Sequence, residues 1–230
     1  MSTTAILLCA GKGERLAAGV DKAVVPLAGR PLFAWSLDTL NACVAIDAIV
    51  MVGSSKILKD LVAASGVASG KIVAWSEGGK ERQQSVGRGL HVLPEGCTHV
   101  AIHDAARALV TADVVTRVVA DAREHGAAIA AIPLADTLKR VSLGTIETTV
   151  PRQGLWCAQT PQAFRRDWIE AAHAATKAIA TDDAALVEAL GHPVRVTPGD
   201  PMNFKITTAE DLAFAEAWLV RRMERAEGSA

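Results

Sequence analysis

The sequence predicts an α/β fold with a mostly parallel central sheet covered on both faces. Short apolar runs recur along the chain, and stretches of helical periodicity separate them. The first apolar run, Ile6-Leu7-Leu8-Cys9-Ala10, also breaks abruptly at Gly11 and Gly13, as strand-to-helix turns in such sheets do.

The elements follow in order. Residues 4–9 read as the first buried strand, and residues 31–41 as a helix with Leu32, Phe33, Trp35, Leu37 and Leu40 mostly on one face. Residues 48–52, Ala-Ile-Val-Met-Val, are a strand stopped by Gly53. Then come a helix at 57–64, a short strand at 71–75, a helix at 83–93 and a strand at 98–103. Residues 112–125 are a helix closed by Gly126, and 127–132 a further strand. Residues 136–152 break the pattern. They are rich in Thr and Val and alternate roughly around Gly144, which predicts a two-stranded arm. A lone hairpin is marginal in water, so this one packs either on a partner subunit, in a two-fold dimer, or back on its own domain. Helices at 167–178 and 182–190, a strand at 194–197 and a long helix at 208–225 complete the chain. Thr207 and Glu210 have capping-box spacing before the last helix, and Leu212, Ala215, Leu219 and Met223 form its inner stripe. The expected organisation is one domain over 1–230 with the arm at about 136–152.

Composition narrows the function. Half of the 230 residues are hydrophobic, enough for a large core, while 21% charged residues favour solubility. A net charge of −1 argues against broad nucleic-acid binding, which rests on excess cations. Cys9, Cys43, Cys97 and Cys157 are scattered without metal-ligand spacing, and Cys9 and Cys157 read as small core residues. No basic segment precedes the first apolar run and no run is long enough to span a bilayer, so a cytoplasmic protein off the membrane is expected.

Three segments fall on the carboxyl edge of the predicted sheet, where such folds bind ligands. The first is the turn at Gly11 and Gly13 with Arg15 and Lys22. It is either an ordinary tight turn or a phosphate cradle in which glycine admits backbone N–H groups to the anion. It fits neither the Walker pattern, since Glu14 follows Gly13, nor the dinucleotide fingerprint, since Leu16 stands where a small residue is needed. The second is Gly78-Gly79-Lys80-Glu81-Arg82 with Ser85, a glycine loop that opens a helix. The third is His103-Asp104-Ala105-Ala106-Arg107. Asp104 at a strand end is placed to orient Mg²⁺, directly or through water, and Arg107 to clamp an anion. His103 is expected to pack locally. Thr181 either caps the helix after it or meets a ligand, and Lys205 is either solvated or part of the site.

Taken with Asp136-Thr137, Arg152-Gln153-Gly154-Leu155-Trp156, Thr160-Pro161-Gln162, Thr181-Asp182-Asp183-Ala184 and Asn203-Phe204-Lys205, these motifs resemble the 2-C-methyl-D-erythritol 4-phosphate cytidylyltransferase family over nearly the whole chain. The resemblance implies a Rossmann-like nucleotidyltransferase fold whose projecting arm makes a homodimer. It implies that Ala10, Gly11, Gly13, Gly79 and Ser85 hold CTP, with Arg82 and Ala105 nearby. Asp104, Arg107, Thr137, Arg152, Thr160, Thr181 and Lys205 would position the polyol phosphate, Arg152 reaching across the dimer. Arg15, Lys22, Arg152 and Lys205 form the implied catalytic set, with Mg²⁺ at Asp104. A sister enzyme using ribitol 5-phosphate, a nucleotide-sugar pyrophosphorylase and a non-catalytic nucleotide-binding module are the rival readings.

Overall fold

A computed structural model describes residues 1–11, 22–175 and 180–227. Its centre is a seven-stranded sheet in the order β11-β7-β10-β6-β1-β4-β5. These strands are β1 (Ser2–Leu8), β4 (Ala48–Val52), β5 (Ile72–Ser76), β6 (Cys97–Asp104), β7 (Ala127–Pro133), β10 (Trp156–Arg165) and β11 (Arg195–Pro198). A two-stranded turn, β2 (Pro26–Leu27) with β3 (Arg30–Pro31), and the arm, β8 (Leu138–Ser142) with β9 (Thr145–Val150), stand outside it.

The helices are α1 (Leu32–Ala42), α2 (Ser55–Ser65), α3 (Arg82–Leu90), α4 (Ala112–His125), α5 (Arg166–Ala175), α6 (Asp183–Ala189) and α7 (Ala209–Glu227). Strand alternation sorts them onto two faces. Ala5 and Leu7 of β1 pack into a core with Phe33 and Leu37 of α1, Leu58 of α2 and Val115 and Val118 of α4. Ile6 and Leu8 point the other way, into a core with Val86 and Leu90 of α3, Ile169 of α5 and Val187 of α6. A smaller cluster of Leu27, Leu32, Ile206, Ala215 and Leu219 seats α7.

Register builds the site. Leu8 pairs with both Val52 and Asp104, and Val52 with Ser76, so four parallel strands end on one rung. The chain passes from β1 to β4 on one side and returns to β6 on the other. The crevice between β1 and β6 is therefore a topological switch point, where open α/β sheets bind ligands.

Four expectations need correction. The sheet is mostly parallel as expected, but β10, which runs antiparallel between β6 and β7, is a strand the sequence pattern does not predict. Pro161 hid it, since proline argues against a central strand; here it sits where the pairing with β7 shifts between Ala158 and Gln162. Cys157 is exposed, while Cys9, Cys43 and Cys97 are buried. At the start of α7 the reciprocal bonds join Thr208 and Asp211, not Thr207 and Glu210, because one Asp211 oxygen collects both the Thr207 and Thr208 N–H groups. Met223, placed on the inner stripe, is about half exposed, since the core under α7 ends at Leu219. Gly126 closes α4 as expected, with φ of 93°. Among the described residues no helix is long and apolar enough to cross a membrane.

Candidate active site

Two adjoining cavities open at the switch point. One of about 200 Å³ is lined by Cys9, Ala10, Gly11, Ala23, Arg82, Ser85, Asp104, Ala106 and Lys205, and begins at Leu8. The second, of about 260 Å³, is bordered by Arg107, Gln159, Thr160, Gln162, Thr181 and Asp182. Arg82, Asp104 and Lys205 line both.

Local chemistry shapes the first cavity. Ser85 Oγ accepts the Gly79 N–H at 2.9 Å and donates to the Glu81 carbonyl at 3.2 Å, folding the glycine loop over the start of α3. Glu81 and Gln84 complete a capping box there. A Cβ on Gly78 would lie 2.4 Å from the Ala10 Cβ, so only glycine lets this loop close on the segment after β1.

The charges form a chain. Lys205 Nζ donates to Asp104 Oδ2 at 2.6 Å, and Arg82 Nε to Asp104 Oδ1 at 3.0 Å. Arg82 Nη1 donates to Asp183 Oδ2 at 2.7 Å, and Asp183 Oδ1 lies 3.1 Å from His173 Nε2. Burial alone would raise the Asp104 carboxyl, but Arg82 and then Lys205 outweigh it and hold it well below the usual carboxylate range. Burial likewise opposes the charge on Arg82, yet Asp183 and Asp104 overcome it and push the guanidinium up. Arg107 is fixed differently, donating to the carbonyls of Asn203 (2.7 Å) and Ala158 (3.2 Å). It makes no surface pair with Asp104, whose two oxygens face Arg82 and Lys205.

Beneath lies a buried polar layer. Thr160 Oγ1 accepts the Asp104 N–H at 3.1 Å and lies 3.0 Å from His103 Nδ1. His103 is fully buried, and burial pushes its pKa down to about 4, so it is neutral at pH 7. Asn203 donates to the Thr160 carbonyl at 2.8 Å, tying the loop before α7 to β10.

The family model for 2-C-methyl-D-erythritol 4-phosphate cytidylyltransferase matches residues 3–221. The chain belongs to the 2-C-methyl-D-erythritol 4-phosphate cytidylyltransferase family. It is 43% identical over 221 residues to the family protein of Synechococcus sp. strain WH7803, covering 94% of this chain and 99% of that one. With the Geobacillus kaustophilus protein it shares 41% over 229 residues, covering 97% and 99%. A solved 4-diphosphocytidyl-2C-methyl-D-erythritol synthase from Anaerococcus prevotii superimposes with a TM-score of 0.81 at 30% identity, over 95% of this chain and 98% of that one. The Thermus thermophilus enzyme does so at 0.75 and 33%, over 94% and 98%. Membership makes the chain a nucleotidyltransferase.

Within this cytidylyltransferase, Ala10, Gly11, Arg82, Ser85, Asp104, Arg107, Thr160, Thr181 and Lys205 all line the paired cavities. Ala105 does not line them: it is fully buried with its N–H given to the Leu8 carbonyl, and Ala106 takes its place at the wall. Gly79 acts behind the wall, through Ser85. Thr137 and Arg152 stand exposed at the arm, Arg152 Nη1 bonding the Ala135 carbonyl, and neither is among the residues lining the cavities. Gly13 and Arg15 lie outside the described residues, and Lys22 opens a 3-10 turn, Lys22–Val24. Thr181 does not cap α6; Asp182 does, accepting the Ala185 N–H at 3.0 Å.

Gln159 carries no motif signal in the sequence, and the motifs name Gln162, Asp182 and Asp183 without separating their roles. Gln162 Nε2 donates to Asp182 Oδ2 at 2.8 Å, while Asp183 is buried against Arg82. Two adjacent acids before a helix were the available signal, but only the fold tells the cap from the ion pair.

The donors around Asp104 do not suit a metal held by the protein. Each of its oxygens already faces a cation, and Asp182 is committed to Gln162 and its cap. Among the described residues no three His, Cys, Asp or Glu side chains gather into an all-protein metal cage, whereas Mg²⁺ ordinarily takes one or two carboxylates together with substrate phosphates.

Proposed function

We propose that the cleft transfers CMP from CTP to 2-C-methyl-D-erythritol 4-phosphate, giving 4-diphosphocytidyl-2-C-methyl-D-erythritol and pyrophosphate. The observation that carries this reading is the sharing of Arg82, Asp104 and Lys205 between the two cavities. Two anions have to meet in this reaction, and the shared wall supplies the cations that offset their repulsion.

A phosphate oxygen of the acceptor attacks the α-phosphorus of CTP in line; the new O–P bond forms as the bond to pyrophosphate breaks. A phosphate monoester is already largely dianionic near neutral pH, so no side chain needs to remove a proton. That agrees with a neutral, buried His103 turned toward Thr160 rather than toward the cavities. CTP is assigned to the cavity at Ala10, Gly11 and Ser85, and the acceptor to that at Arg107, Thr160 and Thr181. Arg15 and Lys22 are assigned to the charge that grows at the α-phosphate, and Lys205 to holding the attacking phosphate beside it. Mg²⁺ is assigned to the triphosphate of CTP, as part of the nucleotide substrate.

The same reading makes the protein a homodimer joined through β8 and β9. Val141 and Ile146 pair across the arm, are 54% and 58% exposed, and Leu143 at its tip is fully exposed. Apolar side chains on a two-stranded ribbon call for a covering surface. A second copy would bring Arg152 and Thr137 to the neighbouring cleft, which explains why they stand away from their own. A reaction between two water-soluble phosphates suits a cytoplasmic enzyme.

The test is pyrophosphate release with CTP, UTP or ATP crossed against methylerythritol 4-phosphate or ribitol 5-phosphate. Release is expected with CTP and the methylerythritol ester. Release with ribitol 5-phosphate alone would sink the assigned acceptor, and release with no pair would favour a binding module.

A further inference from the structure

We propose that Asp183 and His173 are positioning residues that lock the guanidinium of Arg82 into the orientation the cleft uses. The proposal rests on the reading of that cleft as a cytidylyltransferase site.

A guanidinium carries five donors in a rigid planar fork. Arg82 gives Nε to Asp104 and Nη1 to Asp183, whereas its Nη2 is buried with no acceptor among the described residues. Asp104 alone would leave the fork free to swing about the Nε bond. The second carboxylate, on another edge, fixes its plane and leaves Nη2 as the unsatisfied edge of a residue lining both cavities.

Asp183 is fixed in turn. It is 1% exposed, in the first turn of α6, and its other oxygen meets His173 Nε2 of α5. Three helices thus converge on one charge chain: Arg82 opens α3, His173 lies in α5 and Asp183 opens α6. His173 also borders a separate cavity of about 790 Å³ between α3 and α5, which shares no lining residue with the cleft. A buried ion pair gains little net stability, because desolvation offsets the attraction. Its consequence here is geometric: with both carboxylates in place, the fork has one arrangement. Loss of Asp183 or of the His173 bond leaves the fork charged but no longer fixed.

The experiment uses the full chain. Asp183→Asn is expected to lower kcat/KM for pyrophosphate release about tenfold, and His173→Leu several-fold, as coupled neighbours do. His173→Gln, which restores an N–H near the Nε2 position, is expected to recover most of the loss. In an Arg82→Lys background, where no fork remains to orient, the Asp183 and His173 changes should add little. Equal losses from His173→Gln and His173→Leu, or losses independent of residue 82, would overturn the proposal.

A second readout does not need turnover. In arginine-labelled protein the Arg82 Nε–H resonance should be resolved and slow to exchange, and should broaden or exchange fast in Asp183→Asn and His173→Leu. An unchanged resonance overturns the clamp even where turnover has fallen. If the wild type releases no pyrophosphate with any substrate pair but the resonance changes as stated, the assigned reaction fails while the clamp stands.

Discussion

His103 shows how one buried side chain links folding to pH. It lies one residue before Asp104 on β6, and burial lowers its pKa from 6.5 to about 4. Between those values the unfolded chain holds a proton on this imidazole that the folded chain refuses. Stability attributable to His103 is therefore full above about pH 6.5 and is lost as pH falls toward 4, by on the order of 3 kcal/mol. Urea unfolding between pH 7 and 4.5 should show a shallower fall for His103→Asn than for wild type. The comparison of slopes matters, because the substitution also changes packing at every pH. His99, depressed by burial and then by Arg123, contributes to both slopes equally. Identical slopes would mean that His103 titrates in the folded state as it does in water.

At the scale of elements, the site depends on how closely two loops approach. The segment after β1 and the glycine loop before α3 touch at Ala10 and Gly78, with no room for a methyl group between them. Gly78→Ala must push these loops apart, at a cost of about 1–3 kcal/mol in stability. Because Ala10 walls the cavity assigned to CTP, kcat/KM should fall by up to about 10²-fold. Thermal melting and pyrophosphate release read the two effects separately, and unaltered kinetics would remove the Ala10 edge from the nucleotide cradle. β10 makes the complementary point. Its first half leads out of the arm, its register shifts at Thr160 and Pro161, and its second half pairs with β6 in the core. One strand therefore connects the exposed arm to the Thr160 hydroxyl that receives the Asp104 backbone.

At the scale of the whole molecule, the arm predicts assembly. Val141→Asp with Ile146→Asp places two like charges on a paired, exposed position and should turn a dimer into a monomer, seen by sedimentation as a halved mass. Turnover should fall with it, because Arg152 and Thr137 would lose the neighbouring cleft. Mixing Arg152→Ala subunits with Lys205→Met subunits should restore part of the activity, since a mixed dimer keeps one intact site. A fully active monomer would assign Arg152 a role within its own chain or none.

The sequence by itself determined the element pattern, from Ala48–Val52 and Ala112–His125, which it located to the residue, to the exposed arm around Gly144. Periodicity and glycine punctuation are local signals, so they survive without a fold. It also determined the order of motifs that the family shares, which brought Ala10, Arg82, Asp104, Arg107 and Lys205 to notice together. Tertiary structure alone decided which strand lies beside which. β10 is central because its antiparallel register joins β6 to β7, and no local pattern encodes such a pairing. It decided partners as well: Asp104 answers to Arg82 and Lys205, 22 and 101 residues away, rather than to Arg107 three residues on. Ion pairs follow distance in space, and only the switch point between β1 and β6 gathers these charges at one place.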